Sequence, residues 1–87
     1  MPNRDMEHKL REIFAVVLDL PKESVVPELS PDTCASWDSL QHIHLVCAID
    51  ESFGIELSVE QQIEMMTFDL TLDVVREATS SGVSYVP

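Results

Sequence analysis

Apolar residues recur at three- and four-residue steps through Met6, Leu10, Ile13, Phe14, Val17 and Leu18, which predicts one amphipathic helix over roughly 4–20. Asn3 is read as its cap, Asp5 and Glu7 fall in the first turn where acids are favoured, and Pro21 ends it. Residues 21–38 contain Pro21, Pro27 and Pro31 among small polar residues, without a sustained period, and read as a long ordered loop. A loop of that length in a short chain is usually functional. The helical pattern returns from Ser39 to Phe53 and stops at Gly54, a residue that accepts the left-handed conformation of a helix end. Ile55 and Leu57 form a connector, and Ser58 caps a short helix over Val59 to Met66 that buries Ile63 and one of the two methionines. Thr71 caps a last helix in which Leu72, Val75 and Thr79 share a face, with Val74 and Ala78 beside it, and a tail begins at about Gly82. The pattern predicts no strand and no repeat. The expected fold is all-α: a four-helix bundle of three longer helices and one short third helix, with a long loop between helices 1 and 2, forming a single domain over 1–87.

The second helix carries more apolar surface than a small bundle needs. Leu45, Val46, Ile49 and Phe53 cluster on one side and are expected in the core, together with Phe14 from the first helix. Leu40, Ile43 and Cys47 lie on the other side, mixed with His44 and Glu51. Surplus apolar surface of this kind marks a partner contact.

Composition narrows the functional classes. Eighty-seven residues make one small domain, too small to enclose a deep substrate pocket and stay stable. Sixteen acids against five lysines and arginines give a net charge of −11, a field that repels nucleic acids and anionic membranes and steers toward basic surfaces. Neither a nucleic-acid partner nor a membrane is expected. Cys34 and Cys47 have no metal or redox spacing and read as reduced thiols, and no signal peptide or membrane span is evident. The expectation is a soluble, cytoplasmic monomer.

The chemistry centres on Asp38-Ser39-Leu40, which follows the proline-bearing loop and opens the second helix. A hydroxyl there is exposed, held on a rigid element and close to the positive end of a helix dipole, where an attached phosphate is favoured. Such a serine suits covalent attachment of a phosphorylated arm, although Ser39 also reads as an ordinary helix cap and Asp38 as a second capping candidate. His42 lies one turn from Ser39, yet no third orienting group or oxyanion hole accompanies the two, so a serine hydrolase is not expected. His42 and His44 stand two apart on different helix faces and do not share a metal. His42 is expected at the core edge and His44 on the surface, where it tunes partner contact near neutral pH. Trp37 reads as an anchor pinning the loop to the helices, with a partner hot spot as the alternative, Met65 and Met66 as core filler or lining beside the helix pair, and Asp50 and Glu51 as a solvated face without the pattern of a calcium loop.

The arrangement resembles the acyl carrier protein and peptidyl carrier protein family. Asp38-Ser39-Leu40, Leu45-Val46, Asp50-Glu51, Phe53 and Ile55-Glu56-Leu57 follow the family's order, and length, acidity and the long first loop agree along essentially the whole chain. The resemblance implies a protein with no catalysis of its own. In that family the serine corresponding to Ser39 bears a 4′-phosphopantetheine, transferred from coenzyme A by a phosphopantetheinyl transferase, and the arm holds an acyl or aminoacyl group as a thioester. Asp38 and Leu40 would complete the attachment motif, with Leu40, Ile43, His44, Cys47 and Glu51 meeting the transferase, the loading enzymes and the downstream biosynthetic enzymes. Many fatty acid carriers have acids along the helix where this chain has Gln41, His42 and His44, and Trp37 replaces the small or aliphatic residue common before the motif. These departures resemble stand-alone carriers of specialised rather than housekeeping fatty acid pathways. The alternative is an unmodified protein-interaction domain with a carrier-like fold.

Overall fold

The computed structural model describes the backbone of residues 2–84 and the side chains of residues 5–79. Four α-helices follow one another: α1 (Pro2–Leu18), α2 (Ser39–Phe53), α3 (Val59–Glu64) and α4 (Phe68–Ser84), with a single 3-10 turn at Lys22–Ser24 in the first loop. There is no strand among the described residues, and the fold is the expected bundle of three long helices and one short one.

α1 buries the stripe that its periodicity predicts. Leu10, Phe14 and Leu18 are buried, and Met6, Ile13 and Val17 pack partly against the same core. Its boundaries differ from those expected. The helix starts at Pro2, so Asn3 lies inside it and is not its cap. Proline suits a first helical position because the N–H it lacks would have no helical partner there. At the other end the stop is Asp19, not Pro21. Asp19 adopts a left-handed φ of 58°, and the N–H groups of Asp19 and Leu20 bond the carbonyls of Val16 (3.4 Å) and Ala15 (2.9 Å). This is a Schellman closure. Pro21 acts one step removed, by excluding Leu20 from helical geometry.

The loop from Asp19 to Asp38 is ordered by what it buries. Val25, Leu29, Cys34 and Trp37 all enter the core, and Arg11 Nε donates to Val25 O at 3.2 Å. The loop also starts the last helix: Leu29 O and Pro27 O accept from the N–H groups of Phe68 and Asp69, each at 3.0 Å. Those N–H groups have no partner within α4 itself. Phe14 stands at the centre, edge-on to Trp37 (centroids 5.2 Å, 88°) and to Phe68 (5.1 Å, 89°).

α2 divides as the wheel predicts, with Leu45, Val46 and Ile49 buried. Phe53 is only half-buried, and Lys9 Nζ lies 5.1 Å above its ring while donating to Ser52 O at 2.8 Å. Gly54 ends the helix with φ 64°. Asp50 does more than face solvent, because its Oδ1 accepts from Leu57 N at 3.1 Å and fixes the following connector.

Three further expectations need correction in the C-terminal half. Ser58 caps α3 through a reciprocal pair with Gln61, but Ile63 is 68% exposed and Met65 is the residue that fills the core. α3 spans only six residues, so Val59 and Ile63, four apart, share its outer face, and the chain turns Met65 inward just past the helix end. Thr71 is not a cap. α4 begins at Phe68, the Thr67 hydroxyl accepts from Leu70 N at 3.0 Å, and Thr71 is fully buried one turn later with its hydroxyl donating to Thr67 O at 2.7 Å. Finally, α4 continues through Gly82 to Ser84, so the expected tail from Gly82 is helical as far as the structure reaches, and residues 85–87 lie outside the described residues. Cys34 is buried and Cys47 exposed, and both are free thiols.

The different burial of the two phenylalanines separates their contributions. Phe14→Ala should cost about 3–5 kcal/mol, the usual range for emptying a buried aromatic site, and Phe53→Ala clearly less. Urea denaturation followed by circular dichroism measures both, and equal losses would mean that Phe53 shares the central core.

Candidate functional site

The first turn of α2 is built by the residue before it. Asp38 has extended backbone (φ −106°, ψ −174°), and its Oδ1 accepts from Gln41 N at 2.9 Å while its carbonyl accepts from His42 N, also at 2.9 Å. Asp38 is therefore the N-cap, and Ser39 the first helical residue. That assignment settles the capping alternatives: the cap is the aspartate, and the serine is left exposed, its hydroxyl bonded to none of the described residues.

This geometry fits a phosphorylated arm. The N–H groups at the start of a helix point outward without intrahelical partners, and a negative group there gains typically about 0.3–1 kcal/mol from the helix dipole. The fifteen-residue α2 provides such a start, and the exposed Ser39 hydroxyl is accessible as a nucleophile from outside. Its other side is anchored, since Trp37 is only 2% exposed. His42 does not act as a base toward Ser39: Trp37 Nε1 donates to its Nδ1 at 3.0 Å, and its Nε2 lies 3.1 Å from Gln62 O. Both ring nitrogens are committed elsewhere, and no cluster of three or more His, Cys, Asp or Glu residues is arranged to hold a metal among the described residues.

Along the outer face of α2 the structure brings together the residues expected for partner contact. Leu40 is 59% and Ile43 57% exposed, and His44, Cys47 and Glu51 are exposed in turn. His44 Nδ1 lies 3.0 Å from Gln41 Oε1, and a shallow depression runs past His44, Cys47 and Glu51. Sequence reasoning missed the neighbouring contribution of α3. Val59 and Ile63 on α3 and Met66 just past it are exposed, a second group of apolar side chains in the open, and they line a groove together with His42 of α2. The four-residue spacing of Val59 and Ile63 was the available signal. Between the loop and the α2 and α3 helices lies a groove of about 480 Å³, bordered by Ser30, Pro31, His42, Gln62, Ile63 and Met65.

Known proteins share both the sequence and the shape. An acyl carrier protein from Thermosynechococcus vestitus is 30% identical over 81 residues, spanning 93% of this chain and the whole of that one. This chain belongs to the acyl carrier protein family. A second acyl carrier protein, from Buchnera aphidicola of Schizaphis graminum, is 30% identical over 71 residues, covering 82% of this chain and 90% of its own. The solution structure of a holo acyl carrier protein from Geobacter metallireducens superposes with a TM-score of 0.81 at 21% identity, over 100% of this chain and 97% of that one, so the fold is shared. No protein-family model matches the chain. Acyl carrier proteins are carriers and not enzymes, and their prosthetic group is 4′-phosphopantetheine. No helix among the described residues is long and apolar enough to cross a membrane.

The cap and the serine beside it should separate on mutation. Asp38→Ala should lower stability by about 0.5–2 kcal/mol, the usual loss for an N-cap, while Ser39→Ala should cost less and keep full helicity. Thermal melts of the two variants decide this, and a Ser39→Ala variant that loses its helical signal would place the hydroxyl in the fold after all.

Proposed function

We propose that this acyl carrier protein holds acyl or aminoacyl intermediates as thioesters on a 4′-phosphopantetheine arm attached to Ser39, and delivers them to partner enzymes. The observation that carries the reading is the exposed Ser39 hydroxyl at the start of α2, left free because Asp38 does the capping. In the attachment reaction Ser39 Oγ bonds to the pantetheine-side phosphorus of coenzyme A as the diphosphate bridge breaks. The hydroxyl proton passes to a base of the transferase, and adenosine 3′,5′-bisphosphate leaves. When bound, the arm supplies the terminal thiol that forms the thioester. The chain's own part is to present the oxygen, hold it rigidly and offer a surface on which partners assemble.

That surface is the outer face of α2, with Leu40 and Ile43 at its centre and His44, Cys47 and Glu51 around them. Its partners are a phosphopantetheinyl transferase, the enzymes that load the arm and the biosynthetic enzymes that use its cargo. Exposed apolar side chains supply the contact, and the net charge of −11 steers basic surfaces toward it. Gln41, His42 and His44 stand where many fatty acid carriers have acids, and this supports a specialised rather than a housekeeping fatty acid pathway.

Two measurements test the reading. Intact mass after incubation with coenzyme A and a broad-specificity transferase should show one added phosphopantetheinyl group, absent in Ser39→Ala. Addition elsewhere, or none, would refute the assignment. Ile43→Glu should stay folded, since surface changes usually remain within about 0.5 kcal/mol, yet slow modification of Ser39 sharply. A normal rate in that variant would remove Ile43 from the docking surface.

A further inference from the structure

His42 has a bonding pattern that the carrier role does not by itself require. It is half-buried on α2, one turn after Ser39, with Trp37 on one ring nitrogen and the α3 carbonyl of Gln62 on the other. An indole N–H only donates, and a carbonyl oxygen only accepts. Nδ1, 3.0 Å from Trp37 Nε1, must therefore be bare, and Nε2, 3.1 Å from Gln62 O, must carry the proton. Only the neutral Nε2–H tautomer satisfies both contacts. The other neutral tautomer satisfies neither, and the imidazolium forfeits the bond from Trp37. A ring flip would set carbon atoms against both partners. The two rings are nearly parallel, 15° apart with centroids at 6.1 Å, as an in-plane bond between them requires, and behind them Trp37 meets Phe14 edge-on.

We infer that Trp37 and His42 are a positioning pair for Ser39. The neutral imidazole ties the last residues of the loop and the end of α3 to the first turn of α2, and so holds the serine in the orientation that the transferase takes up. This rests on the reading of Ser39 as the attachment residue. Trp37 stands two residues before Ser39, and the one residue between them, Asp38, is itself bonded to Gln41 N. The serine is thus held from the helix side by Asp38 and from the core side by Trp37. Releasing the core side lets the turn exchange among orientations, and the modification rate falls with the fraction of molecules that keep the competent one. Few charged groups face the imidazole. Asp32 of the loop borders the same groove, and Asp38 lies one turn earlier. α3 presents the uncharged Gln62, and α1 presents Phe14 behind Trp37.

Trp37 is the only tryptophan in the chain, so its emission and its indole N–H signal report on the pair. Long-range proton–nitrogen NMR of the unmodified chain at about pH 8 should show His42 as the Nε2–H tautomer. His42→Phe should shift the indole N–H and change the emission of Trp37, because the acceptor of its Nε1–H is then gone. With coenzyme A and a broad-specificity transferase at about pH 8, Trp37→Phe and His42→Phe should be modified roughly three- to tenfold more slowly, the range for one lost hydrogen bond. His42→Asn, which keeps an acceptor near the Nδ1 position, should recover most of the rate. Each variant is first checked for wild-type helicity, and if one Phe variant fails that check the other decides, together with the tautomer. The Nδ1–H tautomer in the wild type, or folded Phe variants modified at the wild-type rate, would overturn the inference. A wild-type chain that gains no mass would overturn the reading of Ser39 and the positioning role with it. That outcome is distinguishable, because the tautomer and the effect of His42→Phe on the Trp37 signal would be unaffected.

Discussion

The edge-to-face contacts of Phe14 with Trp37 and Phe68 are the constraint on which the rest of this molecule depends. Each such contact contributes about 0.5–1.5 kcal/mol beyond the area it buries, but the larger effect is positional. Phe14 belongs to α1, Phe68 begins α4, and Trp37 closes the loop that leads into α2. One ring therefore fixes three chain segments that are distant in sequence. With only 6% aromatic residues in the chain, few other side chains have the size to do this. The loop reinforces the arrangement by lending the carbonyls of Pro27 and Leu29 to the start of α4.

The proposed attachment site is the outward face of that same anchor. Trp37 is buried, Asp38 caps, and Ser39 emerges into solvent within three consecutive residues. A flexible loop would let an exposed serine wander. Here the core holds the segment by its tryptophan, and the helix holds it by the aspartate. Rigid presentation of an exposed hydroxyl is what a carrier has to provide, because the chemistry is done by its partners.

The apolar surface of α2 follows from the size of the chain. A bundle of this size has one core, and one side of α2 fills its share with Leu45, Val46 and Ile49. Leu40 and Ile43 are left outside, as are Val59 and Ile63 of α3 and Met66 just beyond it. Exposed apolar groups on two adjacent elements, within an acidic protein, suit partners with a basic rim and an apolar centre.

Much of this was legible in the sequence, for definite reasons. Helical periodicity determined α1 and α2 and the two faces of α2, because a three- to four-residue repeat leaves few ways to bury the apolar stripe. The capping signals at Ser58 and the stop at Gly54 are local and could be read directly. Asp38-Ser39-Leu40 placed the candidate attachment site at a helix start, and the relation to acyl carrier proteins was carried by residues spread along the chain. Other features were decided only by tertiary structure. Whether Asp38 or Ser39 caps α2 depends on where the anchored Trp37 sets the backbone, and two adjacent capping residues look alike in sequence. Ile63 went outward and Met65 inward because α3 is too short for its own period to choose a face, so the choice fell to the neighbouring helices. Thr71 lost its expected cap role because Phe68 joins the aromatic centre and starts α4 one turn sooner, with its N–H bonded to a loop carbonyl that no local pattern announces. The bonds that run from Trp37 to His42 and from His42 to Gln62 likewise link three elements. Sequence periodicity specifies how each segment folds on itself, whereas bonds between segments exist only once packing has brought their partners together.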